Sequence, residues 1–289
     1  MRILSFGTTG QLARELTRRA PEGVRLTQLG RDSADLADPA ACAAAIRQTD
    51  ADLVLNAAAY TAVDQAETEH ALADRINGDA PGAMARAAAE RGLPFLHVST
   101  DYVFDGSGTR PWREEDAVAP LGAYGASKLR GERLVTAAGG AAVILRTAWV
   151  FSAHGRNFVK TMLRLGAERD ALSVVDDQRG GPTAAADIAD ALFTIARAFA
   201  EGQGVPGIFH FAGAPTVSWA DFAEAIFAAS TLPRRPVVNR IPTSAYPTPA
   251  KRPANSALDC SRILAIYGIR QPDWRVSLSD VIGELEAGA

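Results

Sequence analysis

The chain has 289 residues, enough to bury a large core, and 47% of them are apolar, which excludes a disordered protein. A net charge of only −3 leaves no basic face for nucleic acid or an anionic membrane surface, so any phosphate binding has to be local. Two cysteines, Cys42 and Cys260, make neither a disulfide framework nor a metal cluster. No apolar run approaches the roughly 18–20 residues of a membrane span, and the first strand starts at once without a leader, so a cytoplasmic protein is expected.

In chain order, Arg2 to Phe6 reads as a buried strand that runs into Gly7-Thr8-Thr9-Gly10-Gln11-Leu12-Ala13 and an amphipathic helix starting near Gln11. Glycines there allow a tight turn, and the helix N-terminus behind them is a seat for a pyrophosphate. Arg25 to Leu29 is the second strand and ends at Gly30-Arg31, where dinucleotide-binding folds meet the adenosine ribose. An arginine there can pair with the extra phosphate of NADPH; Asp32, one residue on, keeps NADH open. Asp35-Leu36 falls where a third loop can touch adenine, and Asp38-Pro39 reads as N-cap and first residue of a helix. The apolar strand in 51–60 stops in Ala57-Ala58-Ala59, small side chains that let a ligand lie against backbone. One helix is expected over 71–91 and another buried strand over 95–100.

Thr100 closes that strand, and a Tyr124-Gly-Ala-Ser-Lys128 run follows it. Residues four apart share a helix face, so Tyr124 and Lys128 can reach one small reaction centre. A free phenol ionises near pH ~10; a neighbouring ammonium would bring it closer to use as a proton donor and acceptor. The Thr100 hydroxyl can hydrogen-bond the same reacting oxygen. Carbonyl reduction suits such a set, although Tyr-x-x-x-Lys alone also fits a solvated helix face. Strands over 143–146, 172–175 and 207–211, helices over 157–165 and 185–200, and Ser218 as an N-cap complete the pattern. His210 reads as a structural residue of its strand.

Seven runs, the first of them with the Gly-x-x-Gly-x-x-Ala spacing, carry a resemblance. They are GTTGQLARE (7–15), NAAAYTAVDQAE (56–67), STDYVFDG (99–106), YGASKLRGE (124–132), RTAWVFSAHGRNFVKTM (146–162), DDQRGGPT (176–183) and KRPANSALD (251–259). With these the chain resembles the extended short-chain dehydrogenases/reductases and, among them, the dTDP-4-dehydrorhamnose reductase family. The resemblance implies an α/β fold: a Rossmann-type doubly wound parallel sheet with a smaller C-terminal α/β substrate-binding lobe. The division expected is 1–150 for the NAD(P)-binding domain, with 184–214 returning to it, and 151–183 plus 215–289 for the lobe.

Carried over by residue, the resemblance implies Thr100, Tyr124 and Lys128 as catalytic residues. It assigns cofactor contacts to Gly7, Gly10, Gln11, Leu12, Arg31, Asp35, Leu36, Ala57, Ala58 and Ala59, with Tyr124 and Lys128. Thr100, Asp101, Trp149 and Arg252 would meet a nucleotide-sugar substrate. For Trp149 a core role stays open, and for Lys251 and Arg252 plain surface charge does. The implied reaction is reduction of the C4 keto group of dTDP-4-dehydro-L-rhamnose by NADPH. Another nucleotide-sugar 4-ketoreductase or epimerase, or a non-catalytic NADP-binding regulatory subunit, are the alternatives. A 4,6-dehydratase would have glutamate after Asp101, where Tyr102 stands, and Arg31 speaks against the NAD of epimerases. Some members hold magnesium between subunits through glutamates; Glu15 matches one position, but Ala184-Ala185-Ala186 offers no second carboxylate, so no metal is expected and Glu15 reads as a first-turn carboxylate. A monomer or homodimer is expected.

Overall fold

A computed structural model of the chain describes residues 1–288. Strands and helices alternate from the start: β1 (Arg2–Phe6), α1 (Gln11–Arg19), β2 (Arg25–Leu29), α2 (Pro39–Gln48) and β3 (Leu53–Asn56). Then come α3 (Val63–Ala66), α4 (His70–Asp74), α5 (Ala80–Glu90), β4 (Phe95–Thr100), α6 (Ala123–Ala137) and β5 (Ala142–Thr147). A second lobe begins with β6 (Val150–Phe151), α7 (Phe158–Glu168), β7 (Ala171–Val175), β8 (Arg179–Gly180) and β9 (Thr183–Ala184). The chain returns to the first sheet through α8 (Ala185–Ala200) and β10 (Gly207–His210). It finishes with β11 (Val217–Ser218), α9 (Trp219–Ala229), β12 (Val237–Ile241), β13 (Asn255–Ser256), α10 (Ser261–Tyr267) and α11 (Trp274–Ala287).

Six parallel strands form the main sheet in the order β10-β5-β4-β3-β1-β2. Its inner strands β1, β3, β4 and β5 are buried almost throughout because helices cover both faces, while the edge strand β2 stays partly exposed. Leu53 and Leu55 of β3 face the side of α1 and α8 with Leu16 and Leu192, while Val54 faces the side of α2 and α5 with Ile46 and Met84. The chain leaves β1 for β2 on one side and places β3 on the other, so a crevice opens at the carboxyl ends of β1 and β3, where open α/β sheets take ligands. The lobe has its own core of Phe151, Val159, Phe222, Ile226, Trp274 and Leu278. The last segment is not confined to the lobe: Leu258, Cys260 and Ile263 pack into the core of the main sheet.

Local chemistry explains most boundaries. Asp38 caps α2 by accepting from the amides of Ala40 and Ala41, and Pro39 fills the first helical position, as the dipeptide predicts. Ser218 caps α9 in a reciprocal box with Asp221. The helix expected over 71–91 is interrupted: Arg75–Asp79 forms a π turn between α4 and α5. Asn77 sits in that turn and is buried; its amide accepts from Tyr60 N at 2.8 Å and donates to Ser127 Oγ at 3.0 Å. Such turns collect at functional sites, and this one fastens the wall of the crevice to α6. The third strand also stops earlier than its apolar run, at Asn56, whose Oδ1 accepts from Ala58 N and bends the chain.

Helix α6 comes closer to its neighbours than any residue but glycine allows at two points. A Cβ on Gly125 would lie 2.2 Å from the Tyr102 carbonyl oxygen, and one on Gly131 would lie 2.1 Å from that of Asn77. Gly131→Ala should therefore lower stability by about 1–3 kcal/mol in thermal or denaturant unfolding. Gly283→Ala in α11, where the added carbon meets nothing within 4 Å, should be neutral or stabilising. Equal effects of the two would refute the close approach of α6.

Candidate active site

The crevice is a cleft of about 850 Å³. Gly7 to Ala13 form one end of it, where Gly7 turns at φ +106° and its amide donates to Leu29 O at 2.8 Å. Gly10 precedes α1 with no side chain capping the helix, and a Cβ on Gly10 would meet nothing within 4 Å. The first amides of α1 thus face open space, a seat for an anion. Ala57, Ala58 and Ala59 lie opposite, with the Ala58 Cβ only 3.4 Å from where a Cβ on Gly7 would stand. Gly30, Arg31, Asp35 and Leu36 form the far rim. Arg31 is exposed and enters no ion pair among the described residues, whereas Asp35 spends one carboxylate oxygen on the Ala37 amide.

At the other end, Thr100, Asp101, Tyr124, Lys128 and Trp149 line the same cleft. Thr100 ends β4, and its oxygen accepts from Tyr102 N while its hydroxyl donates to Asp101 Oδ1 at 3.0 Å. Burial raises the Asp101 carboxyl to about 6 against the pull of the Ser256 and Thr100 hydroxyls, and its Oδ2 has no partner. Tyr124 and Lys128 lie one turn apart on α6, as their spacing predicts. Lys128 is 2% exposed and donates to the Val98 carbonyl at 2.7 Å; burial brings its ammonium down to about 8, with Glu132 pulling the other way. The phenol does not follow the expectation that Lys128 lowers it. Burial pushes Tyr124 up to about 12; Thr100 draws it down and Asp101 drives it up. The low-polarity wall, not the cation, sets the phenol.

Trp149 has the left-handed backbone angle φ +49°, which costs a non-glycine residue about 1–2 kcal/mol. Its indole stacks on Trp219 at 3.5 Å between ring centres and 7° between planes, and a Cβ on Gly180 would touch it at 2.6 Å. Packing of that area repays the strain. Trp149 packs against two cores and also lines the cleft.

Arg252 is not brought to the cleft wall. Its Nη2 pairs with Asp64 Oδ2 at 2.8 Å, and its buried Nη1 has no partner. Glu15 is also placed differently. With α1 starting at Gln11 it falls in the second turn and is buried, against Arg18 at 3.0 Å and His154 at 3.3 Å. Among the described residues no group of three His, Cys, Asp or Glu is placed to hold a metal ion, and no helix is long and apolar enough to cross a membrane.

Sequence reading missed Gly155 and Arg156, which line the cleft from the 152–157 loop. Gln11 holds that loop, its Oε1 accepting from Ser152 Oγ at 3.0 Å and Asn157 Nδ2 at 2.9 Å. The signal was a polar run between a strand and the Asn157 cap of α7, without any spacing to tie it to Gln11.

A nucleotide-binding crevice with a hydroxyl, a phenol and an ammonium at one end defines the class of short-chain dehydrogenase/reductase enzymes. The family profile described as RmlD substrate binding domain matches residues 1–287, and the chain belongs to that family. A dTDP-4-dehydrorhamnose reductase of Sinorhizobium fredii is 44% identical over 99% of this chain and 98% of its own length. That of Escherichia coli K12 is 41% identical over 99% and 98%. Among solved structures, a dTDP-4-dehydrorhamnose reductase of Bacillus anthracis in complex with NADP superposes with TM-score 0.91 at 32% identity, over 98% of this chain and 99% of that one. A Thermus thermophilus UDP-glucose 4-epimerase with NAD, TM-score 0.81 at 18% identity over the whole of both chains, shares the fold.

Gln11→Ala should free the 152–157 loop. Trypsin cleavage after Arg156 should speed up severalfold with little change in melting temperature, and an unchanged cleavage rate would count against the tether.

Proposed function

We infer that the chain reduces the C4 carbonyl of dTDP-4-dehydro-L-rhamnose with NADPH, giving dTDP-L-rhamnose. The observation that carries this is the convergence of Thr100, Tyr124 and Lys128 in one cleft with the uncapped, glycine-turned start of α1. Full-length relatives of 41–44% identity bearing that activity in their names support the choice of sugar. NADPH fits the residues present: small alanines and open space over the α1 amides for the pyrophosphate, and an unpaired Arg31 at the adenosine end for the extra phosphate.

When bound, NADPH supplies the hydride. Tyr124 supplies the proton: held up by burial, the phenol keeps its hydrogen at neutral pH and delivers it as the carbonyl oxygen turns into a far more basic alkoxide. Thr100 lies beside it with an oxygen able to take part in the same hydrogen bond, and Asp101 fixes its rotamer. Lys128 places positive charge beneath the phenol and stabilises the phenolate left after transfer. Trp149 gives the sugar nucleotide a flat wall, and Asp101, with one free oxygen, accepts from a sugar hydroxyl.

Tyr124→Phe should cut turnover by about 10²–10⁴-fold while NADPH still binds, followed by loss of NADPH absorbance with the keto sugar made enzymatically. Near-normal turnover would sink the mechanism. Arg31→Ala should raise the KM for NADPH about tenfold or more and leave that for NADH unchanged; a constant ratio of the two would overturn the role of Arg31.

A further inference from the structure

Beneath the reacting end lies a buried ion pair that the mechanism above does not use. Glu132 is on α6 one turn beyond Lys128, on the same face. Its Oε2 accepts from Arg146 Nη2 at 2.6 Å, and its Oε1 accepts from Arg146 Nε at 2.9 Å and Ser99 Oγ at 2.5 Å. Both side chains are nearly inaccessible, at 3% and 2%. Arg146 is fixed from behind. Its guanidinium lies 5.0 Å from the Phe104 ring centre, and its Nη1 faces His210 Nε2 at 3.4 Å. Burial, helped by Arg146, lowers His210 to about 3, so the imidazole stays neutral and its Nδ1 faces the Trp112 carbonyl at 3.0 Å.

The arrangement is asymmetric in a way a packing role does not need. Lys128 has no carboxylate hydrogen-bonded to it; its one protein partner is the Val98 carbonyl. The other groups on its side of α6 are Tyr124 on the helix, His97 on β4, Asp101 after β4 and Arg146 on β5. His97 is kept neutral by burial and by Lys128 itself, and the Asp101 carboxylate, held by the Thr100 hydroxyl, bears on the Tyr124 phenol. Glu67 and Asp79 are spent on Ala123 N and Arg130. Glu132 is the remaining anion.

We propose that Glu132 is a positioning residue for the reduction: its carboxylate, locked by Arg146 and Ser99, is the counterion that keeps the buried Lys128 ammonium charged beneath Tyr124. Arg146 tempers that field by sharing the carboxylate. The two variants therefore have opposite signs. Glu132→Gln removes the counterion, and Lys128 loses its proton at lower pH; Arg146→Met leaves Glu132 unshared, and Lys128 keeps its proton to higher pH.

This rests on Lys128 serving the reaction, so the test reads the lysine without turnover. The chain has only three lysines, Lys128, Lys160 and Lys251, so side-chain-labelled protein gives three resolvable NMR titrations, two of them internal references. In Glu132→Gln the Lys128 midpoint should fall by about one pH unit, and in Arg146→Met it should rise. The alkaline limb of kcat should move the same way in each, because activity is lost as the ammonium deprotonates. If Glu132→Gln leaves Arg146 stranded and the protein unfolds, Glu132→Gln/Arg146→Met removes both charges, and its Lys128 midpoint should still lie below that of the parent. An unmoved Lys128, or shifts of one sign in both single variants, overturns the proposal. The expected titrations in a protein with no reductase activity would overturn the functional reading and leave only the counterion role of Glu132 standing.

Discussion

Everything at the reacting end depends on how closely α6 can lie against the rest of the molecule. Two carbonyl oxygens, from Tyr102 and Asn77, occupy the space where side chains at 125 and 131 would project. With glycine at both, the helix axis drops far enough for Lys128 to reach the Val98 carbonyl and for Glu132 to reach Ser99 and Arg146. A helix held farther out would leave those polar ends buried but unpaired. That is costly: stranding one member of a buried pair such as Glu132–Arg146 destabilises by about 3–5 kcal/mol. Glycine lowers helix propensity by only about 1 kcal/mol, so polar pairing decides where the helix sits.

The same burial that demands pairing also sets the chemistry. It raises the Tyr124 phenol and the Asp101 carboxyl and lowers the Lys128 ammonium, each toward its neutral form. Charge is then retained only where a partner is built in. For a group that must give up a proton to an alkoxide this is an advantage, since the phenol remains loaded across the physiological range. Asn77 and Gln11 extend the logic to the walls: one amide ties the π turn to Tyr60 and Ser127, the other ties the start of α1 to the lobe. Cofactor cradle and reaction end are thereby fastened to common struts.

Much of this was legible in the residues. Strands β1 and β4 fall where apolar runs and turn residues put them, because parallel strands buried on both faces are short and continuous, and strand β2 and helix α8 also fall in the expected segments. Gly7 to Leu12, Ala57 to Ala59, Thr100, Tyr124 and Lys128 share one cleft as the resemblance implied. What was not legible came from contacts between distant segments. No local pattern says that Asn77 sits in a π turn, that Glu15 is buried against His154, that Arg252 is held by Asp64, or that Gln11 reaches Asn157. The phenol was misjudged for the same reason: spacing reveals the neighbouring lysine but not the depth of burial around it.

The stacked Trp149 and Trp219 carry a consequence outside catalysis. The first belongs to the turn after β5 and the second begins α9, so the pair joins the sheet domain to the lobe with rings 3.5 Å apart and nearly parallel. Indoles that close mix their electronic transitions, and the chain has only four tryptophans to crowd the spectrum. The near-ultraviolet circular dichroism of this protein is therefore a built-in gauge of whether its two halves stay docked.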